Sequence, residues 1–314
     1  MTKRTAESLI REFRTEVHHK LPSLRASVES RRGILANMLP TSEERNHSAS
    51  WWILSAHIGT LEKLDAFLRR EGPYESLELL AIARNVFENL VWLKLMNEDE
   101  QFGIVFYAQL LRNQIESGRA LIQKVEDEAA LFDHFDSLDT DILEKLGPTS
   151  GLLSDDEIKG AFDAQQTQSD ELDKLMRREF CLYASQATHN GYALQALLIR
   201  EKAIPAHQAK LLELENHRQL LNRVLTTLLD TRHVGLATGR WNWSDRARDV
   251  KMDAQYRFLY AFTSKLLHAI PLNIITAKEL SALESIMILD YIVISGADLL
   301  EAIEKFSFRW GGSQ

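Results

Sequence analysis

The sequence is poor in the residues that turn a chain. Of 314 residues only 14 are glycine and 6 are proline, against typical usage of roughly 7% and 5%. A many-stranded sandwich or barrel needs a turn every 8–12 residues or so and is excluded. A single cysteine, Cys181, excludes an internal disulfide framework and any multi-cysteine zinc site, and fits a reducing cytosol. No stretch reaches 18 uncharged apolar residues, since the best, SIMILDYIVISGADLL, is cut by Asp290 and Asp298. The start, MTKRTAESLIREF, is charged and amphipathic and lacks the apolar region of a secretory signal. There is no Gly-rich phosphate loop, no G-x-S-x-G elbow, and no H-E-x-x-H or Glu-x-x-His pair. The expectation is therefore a cytoplasmic chain with no membrane partner, no metal and no cofactor.

What remains is helix. Leu9, Phe13, Val17, Leu21, Leu24 and Val28 recur at steps of three and four, one face of an N-terminal helical arm over residues 1–40. Pro22 either kinks that arm or starts a second helix after Lys20, and Pro40 ends it. Such an apolar stripe needs a partner helix, from its own chain or another's. Residues 41–314 then read as a helical bundle, giving an all-α fold of about eight long helices. Thr41-Ser42-Glu43-Glu44 offers N-caps for a helix running to Arg70, and Gly72-Pro73 is a turn. The helix from Ser76 to Asn97 is apolar around most of its circumference and belongs in the middle of the bundle. The next runs from Glu98 to Phe135, with a loop at Gly147–Gly151. The Ser154-x-x-Glu157 capping box restarts helix, which extends to Lys202 for want of a breaker other than Gly160 and Gly191. Ile204-Pro205 separates it from a helix to Leu236. After the loop RWNWS come helices over residues 249–270 and, opened by the Thr276-x-x-Glu279 box, to Phe308.

The net charge of −8 conceals a split. Residues 126–174 carry 15 acidic side chains against three basic, an acidic, loop-containing insertion. The first 40 carry eight basic against four acidic, so the arm is mildly basic and suited to an anionic partner, or to the insertion itself.

Three polar constellations stand out. Arg257, Ser264 and His268 are spaced by seven and four, which returns each to within about 20° of one helical face. Arg178, Ser185 and His189 repeat that spacing. Arginine with histidine in such a stripe suits anion binding or acid–base work, and equally Ser four residues before His satisfies a half-buried ring while Arg snorkels to water. Arg84 and Glu88 lie one turn apart in the most apolar helix, either as an intrahelical ion pair or as half of a buried polar centre facing the Arg257–His268 stripe.

The elements Arg84-Asn85-Val86-Phe87-Glu88, Trp243-Ser244, and Tyr256-x3-Tyr260-x3-Ser264-x3-His268 resemble a family of uncharacterised bacterial all-helical proteins, over about residues 51–300. That family is distantly similar to the HEPN group, many of whose members are metal-independent ribonucleases of toxin and phage-defence systems. The resemblance implies an Arg-x4–6-His pair in which His is the acid or base and Arg stabilises phosphate charge. The sequence departs from it: Arg257 and His268 have ten residues between them, and the only matches by spacing, Arg14-x4-His19 and Arg11-x6-His18, lie in the arm. The expected function is a non-enzymatic interaction or sensor module in bacterial stress or phage defence. It would self-associate through the arm or bind another helical protein. The alternative is a HEPN-like ribonuclease or nucleotide-binding protein, with RNA or a nucleotide as partner.

Overall fold

The computed structural model describes residues 6–70, 74–146, 154–267 and 280–311. All regular structure among them is helical, and none of their helices is long and apolar enough to cross a membrane. The chain groups into two compact units, one of residues 1–110 with 221–314, the other of residues 111–220.

In the first unit, α1 (Ala6–Val17) and α2 (Lys20–Met38) form the arm. The break falls at His18-His19, so Pro22 sits in the first turn of α2, where a missing N–H costs nothing. All six residues of the predicted stripe are buried. α2 lies on α4 (Ala49–Arg69) and α1 on α14 (Ala282–Gly311), so the stripe finds its partner helices inside its own chain. α1 approaches α14 closely at Gly296, where an added Cβ would come to 2.8 Å from the Phe13 ring. The helix expected from Thr41 to Arg70 is divided into a short α3 (Ser42–Asn46) and α4, and Thr41, among the expected N-caps, closes a capping box on α3: its hydroxyl accepts from Glu44 N, and the Glu44 carboxylate accepts from Thr41 N.

α5 (Ser76–Glu98) is the central helix, packed by α4, α12, α13 and α14. Leu80, Ala83, Phe87, Val91 and Leu95 are wholly buried along it, each large side chain contributing about 1.5–3 kcal/mol. α6 (Phe102–Leu146) supplies its first residues to this unit, as does the last part of α10 (Ile204–Leu228). The helix expected to reach Leu236 stops at Leu228, because Asp230 caps a new helix, α11 (Thr231–Thr238), by accepting from His233 N. The helix expected over residues 249–270 begins later, as α13 (Asp253–Leu267), and a short helix, α12 (Trp243–Asp249), forms where the loop RWNWS was expected to lead directly into it. The two are separated at Lys251, which has φ 60°. The Thr276-x-x-Glu279 box lies outside the described residues; a box further on, Ser281 with Glu284, caps α14.

The second unit contains the rest of α6, then α7 (Asp155–Arg178), α8 (Ala184–Asn190), α9 (Tyr192–Leu198) and most of α10. Its core includes Val125, Phe132, Phe135, Met176 and Tyr192. The single helix expected up to Lys202 is interrupted. Phe180 takes φ 53° although its side chain is 83% exposed, and the buried Glu128 carboxylate accepts from the backbone N–H groups of Leu182 and Tyr183 at 2.8 and 2.5 Å. A carboxylate from α6 thus captures the amides that a continuing helix would have used.

Ile204-Pro205 does not break the chain either. A π-helical turn, Ile199–Ala203, carries α9 into α10, with Ile204 N donating to Ile199 O. Pro205 has no N–H for the carbonyl four residues back and crowds it, and the wider ladder absorbs the misfit.

Candidate functional site

α13 packs against α5, and this contact builds the polar centre of the first unit. Arg84 Nε donates to Glu88 Oε1 at 3.0 Å, and the Tyr260 hydroxyl donates to the same oxygen at 2.6 Å. The Arg84 guanidinium lies 4.4 Å from the centre of the Tyr260 ring, a cation–π contact. Phe87 and Tyr256 flank the cluster, the two tyrosine rings 4.3 Å apart. Burial, and then the bond to Glu88, pushes the Tyr260 phenol above its ordinary value. At Arg84 burial works against the charge, but the hydrogen bond to Glu88 and its neighbours outweigh it and hold the guanidinium above its usual value. Tyr260 is thus a fixed donor, and Glu88 already accepts from both.

Arg257 takes no part in this centre. It is exposed and pairs with Asp253 one turn earlier at 3.0 Å. Ser264 falls on α13, but its side chain, like the whole of His268, lies outside the described residues. The aromatic loop has a packing role. Trp241 stacks on Trp92 of α5 at 3.9 Å and 12°, with Trp243 edge-on to Trp241 at 5.7 Å.

In the second unit, Ser185 and His189 are exposed on α8 and line a surface cleft of about 500 Å³ together with Asp173, Arg177 and Thr188. Arg178 does not line it. The turn at 179–183 interrupts the helix that would have phased Arg178 with Ser185, and the neighbouring Arg177 brings the positive charge. In the arm, His18 and His19 are exposed at the α1–α2 break, Arg11 is exposed, and Arg14 donates to the Arg70 carbonyl.

The feature that sequence reasoning missed is a groove. Residues of α4 and α5, with Leu299 of α14, line an open cavity of about 470 Å³ in the first unit. Leu64, Phe67, Ile82 and Val86 supply its apolar walls, and Thr60, Lys63, Asn85 and Asn89 its polar rim. Asn89 Nδ2 donates to Asn85 O and Oδ1, which fixes both amides at one end. At the other, Arg70 pairs with Glu78 and the Tyr74 hydroxyl donates to Phe67 O. Asn85 and Asn89, two amides one turn apart beside Arg84 and Glu88 in the largely apolar α5, were the available signal.

Comparison with known proteins returns nothing: no family model, no curated protein and no solved structure matches the chain.

Proposed function

We propose that this chain is a non-enzymatic helical sensor or interaction module of bacterial stress or phage defence, and that its recognition element is the α4–α5 groove. One observation carries this reading: Arg84, Glu88 and Tyr260 are spent on one another, while the adjoining helix face opens a cavity of about 470 Å³, within the roughly 300–1,000 Å³ of small-ligand pockets. Apolar walls with amide and ammonium groups at the rim suit a small amphipathic molecule, its apolar body inside and a carbonyl or anionic end at Asn85, Asn89 and Lys63. Self-association belongs to the same reading; the apolar stripe of α1 and α2, covered by α14 and α4, does not supply its surface.

The test uses 8-anilinonaphthalene-1-sulfonate as the probe, with Ala81→Trp to fill the groove. Saturable one-site binding that Ala81→Trp abolishes supports the proposal, and binding insensitive to the substitution overturns it. A parallel RNA-cleavage assay addresses the alternative. Cleavage by the wild-type chain that is lost in Arg84→Ala replaces the sensor with a metal-independent ribonuclease.

A further inference from the structure

We propose that His233, Asp99 and Asp230 form a binding site for a divalent transition-metal ion of the zinc class, at the point where the turn after α5 meets the start of α11. His233 is buried, 2% exposed, and its two ring nitrogens have unlike surroundings. Nδ1 lies 3.0 Å from Asp230 Oδ1, so in the tautomer that donates Nδ1–H to this carboxylate, Nε2 carries the lone pair. Nε2 is buried with no hydrogen-bond partner and faces Asp99 Oδ2 at 3.6 Å. Two electron-rich atoms thus oppose each other at a distance too long for a hydrogen bond. It is the separation expected of two ligands held about 2.0–2.2 Å from one zinc ion.

The surroundings already have the form of an outer ligand shell. A ligating histidine ordinarily gives its other N–H to a carboxylate, which fixes the tautomer and the ring plane; Asp230 stands in that position. Gln101 ties the two carboxylates together. Its backbone N–H donates to Asp99 Oδ1 at 2.9 Å, leaving Oδ2 to face the imidazole. Its side chain accepts from Asp230 N at 2.8 Å and donates to Asp230 Oδ2 at 3.4 Å. Phe102 meets the His233 ring edge-on at 4.8 Å and blocks its rotation. Candidate ligand atoms of the three residues lie within 4.8 Å of one another. Asp99 is 39% exposed, which gives an ion its entry and water its place in the remaining coordination positions. An ion held by His233 Nε2 and Asp99 Oδ2, with water on its open side, would clamp the α5–α6 turn to α11.

The experiment is isothermal titration of ZnCl2 into the full chain at pH 7, repeated on Asp99→Asn, Asp230→Asn and His233→Gln, with circular dichroism verifying the fold of each. One equivalent should bind with micromolar affinity and raise the melting temperature. His233→Gln should abolish binding, Asp99→Asn should weaken it at least ten-fold, and Asp230→Asn by about 10–100-fold through the outer shell. Asp99→Asn is the informative variant should His233→Gln not fold, because its side chain is partly solvent-exposed. Absence of zinc binding by the wild-type chain at millimolar metal overturns the proposal, as does binding of equal strength in all variants. So does a nitrogen NMR spectrum in which the His233 ring stays doubly protonated when zinc is added, since an imidazolium between two carboxylates would then account for the geometry.

Discussion

Tyr260 and Glu88, 172 residues apart in the chain, share a 2.6 Å hydrogen bond in which the phenol donates to a carboxylate oxygen. That bond fastens α13 to the central helix, and Arg84 reaches the same oxygen from one turn away. Tyr260→Phe removes the donor and keeps the ring under the guanidinium. It should cost about 1–2 kcal/mol in urea denaturation, with the cation–π contact retained.

Glu128 gives the largest polar effect expected in the second unit. It is 1% exposed, and its carboxylate is the acceptor for Leu182 N and Tyr183 N. Glu128→Ala orphans both amides and should destabilise by about 3 kcal/mol or more. Hydrogen exchange supplies the local readout: those two amides should lose protection first.

Phe180 provides the opposite sign. A bulky residue held at φ 53° with its side chain 83% in water is strained and gains little from packing. Phe180→Gly should therefore stabilise the chain by about 1 kcal/mol, measured as an increased urea midpoint at unchanged slope.

His57 predicts an acid sensitivity. The ring is buried in α4, neither nitrogen has a hydrogen-bond partner, and burial followed by the charge of Arg31 pushes its pKa from 6.5 to about 3. Above pH 6.5 the ring is neutral folded and unfolded, and contributes no pH dependence. Below it the unfolded chain takes a proton that the fold refuses, so stability falls as pH drops toward about 3, by up to about 1.4 kcal/mol per pH unit. Between pH 7 and 5 the wild type should lose about 2 kcal/mol that His57→Leu does not lose, as read from paired urea titrations.

Local periodicity made part of this structure legible. The stripe from Leu9 to Val28 and the all-round apolar character of α5 are properties of short windows, and both sit where the period puts them. The Arg84–Glu88 pair is one turn long and equally readable. Tyr260 joins that pair only because α13 lies on α5, which no spacing encodes. Arg257 shows the converse. Its helical phase is set by sequence, but its partner is Asp253 on its own surface. The turn at Phe180 was unreadable for a clearer reason. Glu-Phe-Cys-Leu-Tyr contains no breaker, and the carboxylate that ends the helix comes from more than 50 residues upstream. Asp230 did carry a readable cap signal, three residues before His233, but it lay inside a run that otherwise continues as helix.

The π turn at Ile199–Ala203 has a consequence for the helical phase of the second unit. It inserts one residue into an otherwise continuous α-helical count, so side chains from Ala206 onward are rotated by about 100° from where the period of α9 would put them. With the inserted residue taken out of the count, Leu211 falls on the face of Tyr192, from which an uninterrupted α-helix would set it off by about 100°. Removing a single residue here would leave a helix in place and turn a different side of α10 toward α6. Helix persistence and facial identity are therefore separable properties at this position, and an insertion or deletion too small to disturb the first would exchange the second.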